Sequence, residues 1–404
     1  MNLGPESFSP ALFQKIVYAG GNAPSYGRAT VDLKTLAELA VSEVEIRRFT
    51  DRVGRELQAI RDQAAEQYNK TGTVDERIPN TPQTVAIGVD GGRAQTRAEG
   101  AGRGVHEPHW REPRYACLQR FPAPATRSDP HPEVPRAFLD EGHVRALVEG
   151  IKSPAPRTRE KPPPPPRPDP RPRSADSPKP KALVETCVAS LSRSQDFGAL
   201  VAAEAARRRF PEAPRKGFLG DGQPSNWEIH AFHFPDWTPI LDFIHLLTYL
   251  FTAALAARAG GKAGWTLYVH LVTAAWRGKV HQLLALLSRE AERLGDPPEG
   301  AQTNDPRKIL LDTLRYVRNN ASRMNYPEYR ANGLPVTTCA IESLIKRFNF
   351  RVKASDKFWI EPALEAVLQV RAACLSEDDR WQRFWKTRTR RLAASHRPYR
   401  ARAS

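Results

Sequence analysis

Three carboxylates stand in settings that suit phosphate chemistry. In TVAIGVDGGR, residues 84–93, an apolar and mostly β-branched run leads into Asp90 and the pair Gly91 and Gly92. Such a run reads as a buried strand and the glycines as its exit, so Asp90 falls at a strand end, where it either caps the turn or faces a ligand. RKGFLGDGQPSNW repeats the arrangement, with the run from Lys216 to Leu219 closing on Gly220, Asp221 and Gly222. The third is Glu342, on a helix predicted from about Thr338 to Lys353. There Glu342, Lys346, Asn349 and Lys353 recur at i, i+4, i+7 and i+11 and share one face. That row is either an ion-paired solvated face or a carboxylate beside a phosphate-holding ladder. Brought together, the three carboxylates would suit two hard divalent cations, Mg²⁺ or Mn²⁺. Two such ions about 3.5 to 4 Å apart serve cleavage and transfer of phosphodiesters alike.

The elements that must position these residues are partly legible. Tyr115 to Phe121 reads as a further strand, and the chain between the Asp90 strand and about residue 114 as irregular. Alanine-rich periodicity predicts a helix from Ala182 to Arg209. TPILDFIHLLTYLFTAALAARAG reads as a short strand followed by a long apolar helix, and residues 265–295 continue helically. Near the N-terminus, residues 32–67 show two helical patterns broken near Val41 and Ser42, a helix-turn-helix candidate. Ser42 with Glu45 forms a capping box at the second helix, from which Arg47, Arg48 and Arg52 project. These arginines either read DNA or decorate an ordinary helix pair. The resulting division is a helical region over 1–75, a first core segment over 76–150, a Pro-rich linker or insertion over 151–181, the rest of the core over 182–386, and a basic, disordered tail over 387–404.

Composition narrows the class. The 404 residues carry a formal net charge of +16, which points to a polyanion such as nucleic acid unless the charge is simply solvated. No apolar run approaches the length of a membrane span, and the N-terminus lacks the pattern of a secretory leader, so a cytoplasmic, nucleoid-associated protein is expected. The four cysteines, Cys117, Cys187, Cys339 and Cys374, are too scattered for a zinc ribbon or a disulfide framework.

Several longer blocks carry a family resemblance: GVDGGR, WREPRYACL, FLGDGQPSNW, FPDWTPILDFIHLLTYL, YVRNNASRMNYPEYRANGLPVTTCAIESLIKRFNFRVKASDKFW and LQVRAACLSEDDRWQRFW, in that order. Over roughly residues 32–386, apart from the Pro-rich insertion, the chain resembles the DDE-type insertion-sequence transposases of the group called ISKra-four. The resemblance implies an RNase H-like α/β core, a mixed sheet flanked by helices, with a helical insertion between Asp221 and Glu342 and a small N-terminal helical region. It implies that Asp90, Asp221 and Glu342 are catalytic and hold two Mg²⁺ or Mn²⁺ ions. Asp242 and His245 match the family's D-x-x-H signature and are read as hydrogen-bonding support for the Asp221 strand rather than as ligands. Trp359 either stacks on an unpaired base near a transposon end or packs in the core. The implied partner is double-stranded DNA, both element ends and target, bound by a homo-oligomer. An RNase H-like nuclease or resolvase, and a domesticated DNA-binding protein without catalysis, are the alternative functions.

Overall fold

The computed structural model describes residues 8–75, 77–98, 100, 102, 107, 109–122, 124–152, 180, 182–354 and 357–395. At its centre is a mixed sheet of β1 (Thr84–Gly91), β4 (Arg114–Phe121), β5 (Val184–Ser190), β6 (Arg215–Gly220) and β7 (Thr238–Leu241) in the order β5-β4-β1-β6-β7. β4 runs antiparallel to both β1 and β5, whereas β6 is parallel to β1 and to β7. Between β1 and β4 the chain forms a small antiparallel pair, β2 (Ala94–Thr96) and β3 (His109–Arg111), in a stretch expected to be irregular. The pair is short and its outer strand is exposed, so no apolar alternation marks it.

Both faces of the sheet are covered. Val85, Ile87 and Val89 of β1, with Phe218 of β6, pack against α5 (Ser194–Arg207) and α6 (Pro224–His233). The opposite face carries Tyr115 and Cys117 of β4 and Cys187 and Ala189 of β5. It packs against α12 (Cys339–Val352) and α13 (Glu361–Leu375) through Ile341, Leu344, Phe348 and Leu364. A strand buried on both faces loses the apolar–polar alternation, which is why β1 reads as a continuous apolar run.

The helix expected over Ala182–Arg209 is two elements: β5, then α5 from Ser194. Val184, Thr186 and Val188 suit a strand, but the alanines downstream dominate the average propensity of the window. Beyond β7, α7 (Phe243–Ala257), α8 (Gly261–Trp276), α9 (Val280–Leu294), α10 (Pro306–Asn320) and α11 (Tyr326–Ala331) form a helical layer whose apolar core is continuous with Ala86, Leu219 and Ile240 of the sheet and is joined by α4 (Glu141–Lys152) through Val144 and Val148. This layer is the helical segment expected between Asp221 and Glu342.

The N-terminal helices α1 (Pro10–Asn22), α2 (Tyr26–Ala37) and α3 (Glu43–Thr71) share a core with α13 and with α14 (Arg380–Ser395). The capping box forms as expected: Ser42 Oγ accepts from the Glu45 N–H at 3.3 Å, and Glu45 accepts from the Ser42 N–H at 3.3 Å. Residues 387–395, expected as part of a disordered tail, belong instead to α14. Trp381, Phe384 and Trp385 bury one face of it, and that burial anchors a segment whose charge alone suggested a tail. Residues 396–404, and nearly all of the Pro-rich segment after Lys152, lie outside the described residues. Among the described residues no helix is long and apolar enough to cross a membrane.

Candidate functional site

Strand register brings the acidic residues together. β1 and β6 pair in parallel with Gly88 beside Leu219. Asp90 and Asp221 each follow two residues later, so they leave the sheet side by side and on the same face. β7 repeats the pattern, since Leu241 pairs with Gly220 and Asp242 therefore comes level with Asp221. The face is the one covered by α12: a Cβ added at Gly88 would stand 3.5 Å from Ile341, and Glu342 is the next residue of that helix. Ligands of α/β proteins commonly bind in a crevice at the carboxyl ends of parallel strands, and these residues line such a place.

Asp242 organises the surroundings. It is fully buried. Its Oδ2 accepts from the His245 N–H at 2.8 Å and from His245 Nδ1 at 2.6 Å, which caps α7 and orients the imidazole. Its Oδ1 accepts from the Thr338 N–H at 2.6 Å. Thr338 O in turn accepts from the Glu342 N–H at 3.0 Å, so Asp242 sets the start of α12 and the height of Glu342 above the sheet. Ligand atoms of Asp242, His245 and Glu342 lie within 4.8 Å of one another. Both Asp242 oxygens are already engaged, so within this trio Asp242 is a holder, and His245 and Glu342 are the groups it presents.

Asp221 is held by a different set. Its Oδ1 accepts from the Gln223 N–H at 3.0 Å and from Asn226 Nδ2 at 2.9 Å, while its backbone carbonyl accepts from the Tyr316 hydroxyl at 2.8 Å. Tyr316 stacks on Tyr249 with ring centroids 4.0 Å apart. Gly222 has φ of +97°, and a Cβ there would meet the Tyr316 ring at 2.6 Å, so glycine is required on both grounds.

The charges act on one another. Burial, then the neighbouring charge of Asp221 and, more weakly, that of Glu342 push the Asp90 carboxyl up to about 7, against the opposing pull of His245 and of the Gly91 N–H at 2.7 Å. Burial pushes the His245 imidazole down, but the hydrogen bond and charge of Asp242, then Asp221 and Asp90, hold it up at about 9. Asp90, Asp221, Glu342 and His245 thus share one field, with more negative than positive charge in it. An oxygen-rich donor set with surplus negative charge fits a hard divalent cation.

The other expected contact residues divide. Arg47, Arg48 and Arg52 are exposed on the first half of α3, with the guanidinium groups of Arg48 and Arg52 over the Phe49 ring at 5.1 and 5.9 Å. Lys346 is exposed and Asn349 half-buried on α12, while Lys353 is the first residue past it. Trp359 takes the core-packing alternative. It is 9% exposed, its Nε1 donates to Val352 O at 2.9 Å, and its backbone bridges Thr96 of β2, so it cannot stack on a base. Sequence reasoning missed Asn226, Tyr316 and Thr338. Asn226 lies in the first turn of α6, within reach of Asp221 by local spacing, but Tyr316 arrives from α10 and carries no local signal.

No protein-family model matches the chain, and no curated protein is detectably similar to it.

Proposed function

We propose that this protein is a DDE-type transposase that binds the ends of a mobile element and uses divalent cations to cleave and join DNA strands. The observation that carries the reading is the convergence of Asp90 and Asp221, level on adjacent parallel strands, with Glu342 on the helix above them. The strand order β5-β4-β1-β6-β7, in which only β4 is reversed, supports an RNase H-like core. The net charge of +16 supports a nucleic-acid partner.

Asp90, Asp221 and Glu342 would hold Mg²⁺ or Mn²⁺. A pair of such ions, when bound, activates the attacking oxygen and stabilises the leaving one. The protein's own residues supply the rest. Asp242 fixes the imidazole of His245 and the first turn of α12, and His245 brings positive charge to a cluster of carboxylates. Asn226 and the Gln223 N–H orient Asp221, and Tyr316 ties its backbone to the helical layer. Lys346, with Lys353 just beyond the helix end, lies along the Glu342 face, where a phosphate backbone would approach.

The test is strand cleavage and strand transfer on a duplex carrying the element's ends, in Mg²⁺. Replacing Asp90, Asp221 or Glu342 by Ala should abolish both products and leave duplex binding intact, because the ligands act as a unit. Cleavage retained by Asp221→Ala would refute the assignment. Cleavage without any strand-transfer product would favour an RNase H-like nuclease on the same carboxylates.

A further inference from the structure

The basic residues of α14 are not accounted for by the carboxylate site. That site opens at the carboxyl ends of β1, β6 and β7, whereas α14 lies beside β5, the strand at the opposite edge of the sheet. Here α3, α5 and α14 enclose a cleft of about 460 Å³, floored by Cys187 and Val188 of β5 and by Ala372 and Ala373 of α13. Arg383, Lys386, Arg390 and Arg391 line it from α14, and Arg207 faces them from α5. Among the described residues none of these five side chains forms a salt bridge.

We propose that this cleft is a second nucleic-acid site that grips the phosphodiester backbone of DNA remote from the carboxylates. The proposal rests on the DNA reading above. Three features of the cleft support it. First, its one carboxylate, Glu204, is already committed to Arg208 at 2.9 Å and to Arg380 at 2.8 Å, so it does not neutralise the five cations. Second, the charges converge on a concavity from two separate helices, and like charges so placed repel unless an anion lies between them. On a convex helix face the same residues would simply be solvated. Third, Arg383 to Arg391 extend over roughly 12 Å of helix axis at 1.5 Å per residue. A row of that length matches a chain of successive phosphates better than one small anion.

The position of α14 does not depend on the outward row. Trp381, Phe384 and Trp385 fill the core that α14 shares with α1 to α3, Phe384 also reaching the cleft wall, and Arg388 pairs with Glu56 at 2.9 Å. Substitutions on the cleft side therefore leave the anchoring contacts in place.

The experiment uses the full chain and a fluorescent duplex of random sequence, with anisotropy followed over a salt series. For Arg383→Gln with Lys386→Gln and Arg390→Gln, the log–log salt slope should become shallower by about 2.7, at roughly 0.9 per lost phosphate contact. Arg207→Gln, on the opposite wall, should make it shallower by about 0.9. Slopes unchanged in both variants would overturn the cleft assignment, as would a wild-type protein that does not bind duplex at low salt. Binding of inorganic tripolyphosphate lost in the triple variant while its DNA slope stays unchanged would assign the cleft to a small polyanion and overturn the proposal too. Mg²⁺-dependent cleavage is measured alongside. Absent cleavage with altered slopes removes the transposase reading and keeps the cleft, whereas intact cleavage with unaltered slopes does the reverse.

Discussion

Asp90 is the residue at which the cost of assembling the site is concentrated. Burial and the charge of Asp221 raise its carboxyl from 3.8 to about 7, so in the metal-free protein it resists ionising. A carboxyl raised on folding contributes stability that is complete below its unfolded pKa, declines as pH rises, and is lost above the folded value. The window therefore runs from about pH 4 to about pH 7. In the presence of a chelator, Asp90→Asn should be more stable than the wild type at alkaline pH, by on the order of 4 kcal/mol, and the gap should close toward pH 4. Millimolar Mg²⁺ should raise the wild-type melting temperature and move the variant much less. An Asp90→Asn protein that melts below the wild type at alkaline pH in chelator would show that Asp90 is not crowded by its neighbours. Asp242 is tested differently. Asp242→Asn keeps the shape but removes the charge, so the His245 imidazole should fall from about 9 toward its ordinary value, read by NMR titration of that ring.

Helices and strands differ in how much of this the sequence discloses. β1, β4 and β6 are legible because each is a short apolar run with turn residues at its end, and the two D-G pairs mark the strand ends where Asp90 and Asp221 stand. The Ser42 box is legible because a cap is a matter of local spacing. β5 is hidden by the alanines that follow it, and α14 by its charge, since in each case burial by distant residues decides the structure and no window contains those residues. Asp242's grip on Thr338 is hidden for the same reason, as the two are 96 residues apart. If Lys346 and Lys353 hold phosphate beside Glu342, replacing both with Ala should weaken specific and random duplexes about equally and make the salt slope shallower by roughly 0.9 per contact, with sequence selectivity retained by Arg47, Arg48 and Arg52. A surface ion-pair role for Lys346 predicts instead a stability loss under about 1 kcal/mol and an unchanged slope.

Across the whole molecule, the N-terminal helices are built into the body that carries the carboxylates. α3 packs along α13, Val370 and Ala373 of α13 join the core of α1 to α3, and the other face of the same helix covers the sheet through Leu364, Leu368 and Ala372. A buried ion network closes the far edge: Arg208 of the α5 end pairs with Glu204 and with Asp378, which precedes α14. Motion of the N-terminal region should therefore reach the sheet. α3 meets the backbone of α13 at Gly54, where an added Cβ would lie 2.2 Å from the backbone oxygen of Ala366. No rotamer change relieves a clash with backbone, so Gly54→Ala must push α3 away from α13. Overpacking of this kind costs about 1 to 3 kcal/mol or more, which lowers the melting temperature by several degrees. What distinguishes one cooperative body from two is where the loss is felt. In native-state hydrogen exchange, the variant should show faster exchange in β1 and β6 as well as in α3, because their protection reports the same global opening. Faster exchange confined to α1, α2 and α3, with the sheet unaffected, would mean that the N-terminal helices open as a unit of their own and that their contacts with α13 do not couple them to the site.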